Sequence, residues 1–194
     1  MTQEIKNNSD ILEQFCMILK ELKSEYYIIK EKNQTIKIIE NIIGDKKNIV
    51  ITKLPETIYK QIKNSLKGDK YTFINEITNK TDAIKILSSV DIGITWASYG
   101  IAEQGALIEV SYDDATKLSS CLPYEHIALI SIENIVKTLT EGMEKVSQII
   151  TNSKNEKPTI SLISGPSKTG DIEMKILRGV HGPNEVHVLI LDYL

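Results

Sequence analysis

The stretch NIVITKLPETIYKQIKNSLKGDKYTFIN, residues 48–75, carries the pattern that decides the fold class. Residues 48–52 form a compact apolar run, which is typical of a strand buried on both faces. Pro55 then opens a segment with helical spacing of its apolar residues, which closes at Gly68, and a second strand-like run follows at 71–75. A strand, a helix and a strand in this order predict a parallel β-α-β unit.

The same alternation extends over most of the chain. Helices are predicted at residues 9–22, 34–44, 55–66, 80–90, 132–150 and 171–179, and strands at 48–52, 71–75, 91–95, 126–130, 159–164 and 185–192, with a further short strand within 26–33. This pattern predicts an α/β fold with a mainly parallel sheet that is covered on both faces. Ligands of such folds bind outside the carboxyl ends of the strands, so we expect a site at the loops 95–105 and 164–171.

Length and composition fit a single globular unit. The 194 residues are 41% hydrophobic and 25% charged, which is ordinary for a globular protein and sufficient for a sizeable core. We expect an α/β domain at 46–194 and a helical N-terminal extension at 1–45 that packs on its core. The net charge of −3, with acids and lysines interspersed, argues against a nucleic-acid partner.

The chain shows no sign of a membrane, metal or disulfide class. No apolar run approaches the roughly 18–20 residues of a membrane span, and the polar N-terminus is unlike a signal peptide. The two cysteines, Cys16 and Cys121, are too few for a disulfide framework, a zinc site or a four-thiolate iron–sulfur site. We therefore expect a cytoplasmic protein without a metal site of its own.

The loop SGPSKTGD, residues 164–171, has the glycine spacing of a phosphate-binding loop but not its chemistry. Asp171 and Ile172 stand where the loop of a nucleoside triphosphatase has lysine and a serine or threonine, which excludes that class. No dinucleotide-binding glycine pattern follows any predicted strand.

The same loop still offers groups that suit a small anion. Gly165 permits close approach of the backbone to a ligand, and Ser167, Lys168 and Thr169 supply two hydroxyls and a cation. The helix predicted after the loop would direct its first N–H groups at an anion. The alternative is that Thr169 or Asp171 only caps this helix and that the glycines make a tight turn.

The second loop contains Trp96, the only tryptophan, and a glutamate between apolar neighbours, Glu103. A carboxylate in such surroundings tends to be desolvated, which raises its pKa or requires a partner. Glu103 is therefore a candidate general base or nucleophile. The alternative is an exposed acid on a helical turn.

The histidines fall into two groups. His126 and His187 lie inside strand-like runs, where we expect packing residues with a satisfied hydrogen bond. His181 lies in the turn Gly-Val-His-Gly-Pro, from which its side chain would reach a cleft or simply stabilise the turn. No pair of histidines has metal-ligand spacing.

Three stretches together resemble the LUD domain family, in particular its lactate-utilisation protein C branch. They are residues 90–111, 122–136 and 164–192, and the last contains Gly-Pro-Ser, Asp-Ile-Glu and Gly-Val-His-Gly-Pro in this order. The first half of the chain matches only in the order of helices and strands. The resemblance implies a fold similar to the NagB, ribose-phosphate isomerase and CoA-transferase group, which is a three-layer α/β/α sandwich.

The resemblance also implies a function. It indicates an accessory subunit in the oxidation of L-lactate to pyruvate, beside partner subunits that carry the iron–sulfur clusters, with no cofactor bound directly by this chain. The ligand expected between the two loops is a small organic acid or a phosphate- or CoA-type molecule. Glu103 and His181 are the catalytic candidates, and the ligand-binding candidates are Trp96, Ser98, Gly105, Gly165, Pro166, Ser167, Lys168, Thr169, Asp171 and Glu173.

The first loop departs from the family pattern. Trp96 stands where the family has glycine, Ser98 where it has a carboxylate, and Gln104 and Ala106 where it has hydroxyl residues. Two further functions therefore stay open. One is an autonomous transferase or isomerase acting on CoA thioesters or sugar phosphates, and the other is a non-catalytic ligand-binding module of the same fold.

Overall fold

A computed structural model of the chain describes residues 2–46, 48–74, 87, 89–153, 157–170, 176–178 and 182–194. It describes the side chains of all of these except residues 2–8, 168–170 and 176–178. Most of the predicted helix at 80–90 lies outside the described residues, as do Asp171, Glu173 and His181.

The helices of the described part are α1 (Thr2–Glu21), α2 (Lys32–Ile43), α3 (Glu56–Ser65), α4 (Asp114–Ser119) and α5 (Leu139–Asn152). The strands are β1 (Glu25–Ile29), β2 (Ile49–Ile51), β3 (Tyr71–Phe73), β4 (Ile92–Trp96), β5 (Tyr99–Ile101), β6 (Ala106–Ser111), β7 (Glu125–Ser131), β8 (Ile135–Val136), β9 (Thr159–Ile163), β10 (Lys168–Gly170), β11 (Ile176–Arg178) and β12 (Glu185–Leu191). None of these helices is long and apolar enough to cross a membrane.

The main sheet has six strands in the order β1-β12-β7-β4-β2-β3, and every neighbouring pair is parallel. The predicted α/β class with a mainly parallel sheet is therefore confirmed. Strand β1 comes from the segment expected to be an N-terminal extension, and it forms one edge of this sheet through its pairing with β12. The expected boundary at residue 45 thus falls between strands of one sheet.

Helices α2 and α3 cover one face of the main sheet. Their residues Ile39 and Ile62 are buried in one apolar cluster with Ile94, Leu129 and Leu189 from the strands. Burial of a side chain of this size contributes about 1.5–3 kcal/mol relative to exposure, so this layer is a large part of the core.

The opposite face is covered by α1 and by a second, smaller sheet. Phe15 and Leu19 of α1 share a buried cluster with Leu107 of β6 and with Val188 of the main sheet. The second sheet has the order β8-β5-β6-β9, with β6 antiparallel to both of its neighbours. The next residue of β6, Ile108, points the other way and packs with Val146 of α5, because side chains alternate along a strand.

A glycine in β4 allows α4 to lie directly on the main sheet. A Cβ atom added at Gly93 would lie 1.9 Å from the carbonyl oxygen of Ser119, the last residue of α4. No other side chain fits this approach without moving backbone.

Two predicted helices are wrong in part. The helix expected from residue 132 begins only at Leu139, because Ile135 and Val136 pair with β5 in the second sheet. The helix expected at 171–179 is wrong at residues 176–178, which form β11 and pair antiparallel with β10. In both places cross-strand pairing satisfies backbone groups that a helix would satisfy within itself, and local apolar spacing does not distinguish the two solutions.

Candidate functional site

The two loops that were expected to form the site do touch. Ser164, at the end of β9, donates a hydrogen bond through its hydroxyl to the carbonyl oxygen of Gln104 at 3.5 Å. The contact follows from the pairing of β9 with β6, which brings the end of one strand beside the start of the other.

The glycines of these loops make room for α1. A Cβ atom added at Gly105, where φ is 55°, would lie 2.8 Å from Ile18 Cγ2 and 3.1 Å from the α1 backbone. A Cβ atom added at Gly165, where φ is 76°, would lie 3.1 Å from Leu22 Cβ and from the Leu22 carbonyl oxygen. On this side of Gly165 the space is occupied by the residue after α1, so a ligand at this loop would have to approach from the other side.

Glu103 is exposed and lies in a short 3-10 turn at Ala102–Gln104. Its Oε1 accepts a hydrogen bond from the backbone N–H of Leu139 at 2.9 Å, and its own N–H donates to the Lys137 carbonyl at 3.1 Å. Leu139 is the first residue of α5, whose unpaired N–H groups and dipole favour a carboxylate. This geometry supports the exposed, structural acid over the desolvated nucleophile.

Trp96 and Gly105 lie on opposite faces of the main sheet. The Trp96 ring packs against the cluster beneath α2 and α3, whereas the next residue, Ala97, is buried in the cluster beneath α1. Ser98 is half-buried, and its N–H donates to the Ile108 carbonyl at 2.7 Å. The structure therefore does not gather all candidates from the first loop around one hollow.

The second loop packs beside the start of β12. Pro166 is buried, and the N–H of half-buried Ser167 donates to the Pro183 carbonyl at 2.8 Å. Lys168 and Thr169 lie in β10, so a strand rather than a helix N-terminus follows the loop. The backbone N–H groups of a helix, which were expected to attract an anion here, are not supplied by this segment.

A buried polar cluster between the two sheets escaped the sequence analysis. The hydroxyl of Thr95 donates to Glu109 Oε1 and lies 2.7 Å from His126 Nε2, which is itself 3.4 Å from Glu109 Oε1. When the Thr95 hydroxyl donates to the carboxylate, its oxygen is left to accept a hydrogen bond from His126 Nε2. In the sequence, the signal for this cluster was one polar residue at a buried position in each of the three strands.

A second cluster lies at the amino ends of β1, β7 and β12, on the face that α2 covers. A cavity of about 370 Å³ there is lined by Glu25, Glu125, Glu185 and His187, among others. Strand register explains the grouping, because Glu25 is opposite His187 and Glu185 is opposite Glu125. Ligands were expected at the carboxyl ends of the strands, whereas this cluster lies at the opposite edge of the sheet.

His187 is the most unusual member of this cluster. Its side chain is only 7% exposed, yet neither ring nitrogen has a hydrogen-bond partner among the described residues. Burial lowers its pKa below the usual value, an effect that the nearby carboxylates of Glu25, Glu125 and Glu185 oppose. His187 was expected to be a packing residue with a satisfied hydrogen bond. It is a buried residue, but the expected hydrogen bond is absent among the described residues, so that part of the expectation is wrong.

The fold defines the class of protein: an α/β protein with a six-stranded parallel sheet, a second mixed sheet on one face and helices on the other. Residues 12–191 match the family described as the LUD domain, a range that includes both sheets. The chain belongs to the LUD domain family.

Relatives of known name are similar over part of their length. Lactate utilization protein C of Macrococcus caseolyticus is 28% identical over 120 residues, which are 62% of this chain and 52% of that protein. Lactate utilization protein C of Bacillus subtilis is 34% identical over 110 residues, which are 56% of this chain and 46% of that protein. The chain spans about half the length of these relatives.

A solved structure shares the fold over nearly the whole chain. The crystal structure of a DUF162 family protein from Deinococcus radiodurans superposes with a TM-score of 0.67 at 19% identity, covering 95% of this chain and 98% of that one. This likeness supports the arrangement of both sheets.

Proposed function

We propose that the chain serves in L-lactate utilisation as a cytoplasmic accessory subunit, beside partner subunits that carry iron–sulfur clusters and oxidise lactate to pyruvate. The observation that carries the proposal is the similarity to lactate utilization protein C in two species, at 28% and 34% identity. The family match over residues 12–191 supports the transfer, because it extends across the whole fold.

The position of Glu103 supports an accessory role over an autonomous transferase. A carboxylate nucleophile needs a free oxygen directed into a cleft. Glu103 is exposed and holds the first N–H of α5 instead. Glu103→Gln should accordingly leave the lactate-dependent function of the complex intact.

The proposal includes a small-anion site on the outer side of the touching loops. Gln104 is exposed and Ser167 is half-buried, while Gly105 and Gly165 turn their inner sides to α1. A carboxylate ligand such as lactate would therefore approach from solvent, near Ser167 and Lys168. Such a site supplies hydroxyl and cationic donors, which suit a carboxylate.

Gene deletion and affinity purification in the native cell test the role. Cells that lack the chain should fail to grow on L-lactate as sole carbon source and recover when the chain is restored. The tagged full chain, purified without oxygen, should bring down partners with the visible absorption of iron–sulfur clusters. Normal growth of the deletion strain on lactate, or purification of the chain alone, would refute the proposal.

A pair of variants tests the anion site separately. We expect L-lactate to raise the unfolding temperature of the parent chain, Ser167→Ala to reduce this shift and Lys168→Ala to abolish it. Lys67→Ala, which removes an exposed lysine after α3, is the matched control and should behave like the parent. Equal shifts in all three variants would place the ligand elsewhere.

A further inference from the structure

We propose that the cavity at the amino ends of β1, β7 and β12 binds one divalent transition-metal cation of the Zn²⁺ type, with Glu125, Glu185 and His187 as its protein ligands. The proposal does not depend on the role in lactate utilisation. It rests on geometry, on unpartnered buried atoms and on the shape of the cavity.

The three side chains each offer one ligand atom, and these atoms lie close together. These atoms lie within 4.8 Å of one another, and His187 Nε2 is 3.8 Å from Glu125 Oε2 and 3.8 Å from Glu185 Oε2. Two ligands at about 2.1 Å from a tetrahedral zinc ion are separated by roughly 3.4 Å. The two separations from His187 Nε2 exceed this value by a few tenths of an ångström, and the two glutamate side chains would close the remaining gap by rotating towards the ion.

Buried atoms without partners point to a missing ligand independently of this clustering. Both ring nitrogens of His187 and Glu125 Oε2 have no hydrogen-bond partner among the described residues, and the two side chains are only 7% and 5% exposed. Buried polar atoms are nearly always paired, because leaving one unpaired costs the free energy of its lost hydration. A cation between Nε2 and Oε2 satisfies both.

The surroundings of His187 fit a metal ligand. The Tyr27 ring stacks on the imidazole with centroids 6.5 Å apart, and the Tyr27 hydroxyl donates to Glu25 Oε2 at 2.8 Å. Glu25 Oε2 in turn lies 3.3 Å from His187 Nδ1. A carboxylate that accepts a hydrogen bond from the second nitrogen of a ligating histidine fixes its tautomer and orientation, and Glu25 is near enough to take this role once the metal orients the ring.

The solvent access of the cavity and the charges around it also suit a cation. The side chains of Glu25 and Glu185 are 67% and 52% exposed, so one side of the cavity is open to solvent. Lys46 Nζ lies 2.9 Å from Glu125 Oε1 and compensates one oxygen of that carboxylate, while Oε2 is left for the cation. The positive charge of Lys46 so close to Glu125 should nevertheless weaken the binding of a cation.

The ligand set selects the class of cation. Imidazole nitrogen with two carboxylate oxygens suits Zn²⁺ and related first-row ions, whereas Mg²⁺ and Ca²⁺ prefer sites made of oxygen alone. Three protein ligands leave a further coordination position for water or a small ligand from the cavity.

Titration calorimetry of the full, chelator-treated chain with ZnCl₂ tests the site. We expect one Zn²⁺ per chain and a higher unfolding temperature with Zn²⁺, and no saturable binding of Mg²⁺. Glu185→Gln and His187→Gln should each weaken Zn²⁺ binding about tenfold or more. Lys46→Met should strengthen it.

Matched variants separate this site from other zinc ligands on the surface. Glu133→Gln makes the same change of charge at an exposed residue beyond the carboxyl end of β7, the end opposite the site. Cys121→Ser removes the exposed thiol, and both variants should bind Zn²⁺ like the parent. Because Glu185 is half-exposed, Glu185→Gln keeps the test valid if His187→Gln fails to fold. Absence of stoichiometric Zn²⁺ binding, or unchanged affinity in Glu185→Gln, would overturn the proposal.

Discussion

Thr95 joins two buried ionisable side chains, Glu109 and His126, in the core between the two sheets. All three residues are at most 3% exposed. Removing the hydroxyl would leave a buried carboxylate and a buried imidazole short of a partner, which is costly in such surroundings. The cluster therefore fixes the second sheet on the main sheet at one defined position.

We expect Thr95→Val to lower the free energy of unfolding by about 1–3 kcal/mol, measured by chemical denaturation. Thr52→Val is the control, because Thr52 is equally buried and its hydroxyl donates to the Ile94 carbonyl, which also accepts the Thr52 N–H. In the control, the Ile94 carbonyl keeps its hydrogen bond from the Thr52 N–H, so the loss of unfolding free energy should be smaller. Equal losses would show that the cluster contributes no more than an ordinary hydroxyl.

The two cysteines should differ sharply in reactivity. Cys16 is buried on α1, and burial raises its pKa to about 11, whereas Cys121 is exposed. Because the thiolate is the reactive form, a disulfide reagent at about pH 8 should label Cys121 quickly and Cys16 only on unfolding. Cys121→Ser should remove the fast phase. Labelling of both thiols at one rate in the folded chain would contradict the burial of Cys16.

At the scale of single residues, sequence reasoning found the positions of polar side chains but not their partners. His126 and His187 were both placed in strands, which the structure confirms. Their neighbours depend on strand order, which brings β1, β7 and β12 together from distant parts of the chain. No local sequence pattern therefore predicts the acidic cavity around His187.

Helix α5 shows how an element is held at its start. Thr138 accepts a hydrogen bond from the Glu141 N–H at 3.2 Å, and Glu141 Oε2 accepts from the Lys137 N–H at 3.3 Å. Glu103 adds a carboxylate from the neighbouring 3-10 turn. The pattern Thr-x-x-Glu at 138–141 is a known sign of a helix start, and it would have placed the boundary correctly.

Glu103→Gln tests this role. We expect a loss of about 0.3–1 kcal/mol in unfolding free energy at low ionic strength, shrinking as salt is added, because the carboxylate interacts with the positive end of the helix. Glu133→Gln, at another exposed glutamate, should show no comparable loss. A loss that is independent of salt would indicate packing rather than charge.

At the scale of elements, strands of the main sheet were predicted well because their apolar runs are continuous. Strands β2, β4, β7 and β12 all lie within or within one residue of the predicted segments. The second sheet was not predicted, because β5 and β8 are too short to show a strand pattern in the sequence. They are strands only because β5 pairs with β6 and β8 pairs with β5.

The whole molecule depends on the close fit of α1 against the second sheet. Gly105, in the turn before β6, lies close to α1, and a methyl group there would meet Ile18 and the α1 backbone. Close approach of a helix and close approach of a ligand require the same residue type, so the sequence alone does not distinguish these two roles for Gly105.

We expect Gly105→Ala to loosen α1, seen as faster hydrogen exchange and proteolysis within that helix. Gly44→Ala is the matched control, because Gly44 has a similar φ of 51° but nothing within 4 Å of an added Cβ. Gly105 is in the left-handed region with ψ 33°, whereas Gly44 has the more restricted ψ of −125°. The control therefore carries at least as much backbone strain but lacks the contact with α1. Equal exchange in α1 for the two variants would show that strain alone matters.

The position of β12 has a consequence for how the chain is made. Strand β12 lies between β1 and β7, and β1 has no other neighbour in the main sheet among the described strands. A ribosome delivers β12 after both β1 and β7, so these two strands lack their common neighbour until β12 has been made. Unpaired strand edges attract other chains, so we expect β1 and β7 to be prone to such contacts until β12 pairs with both.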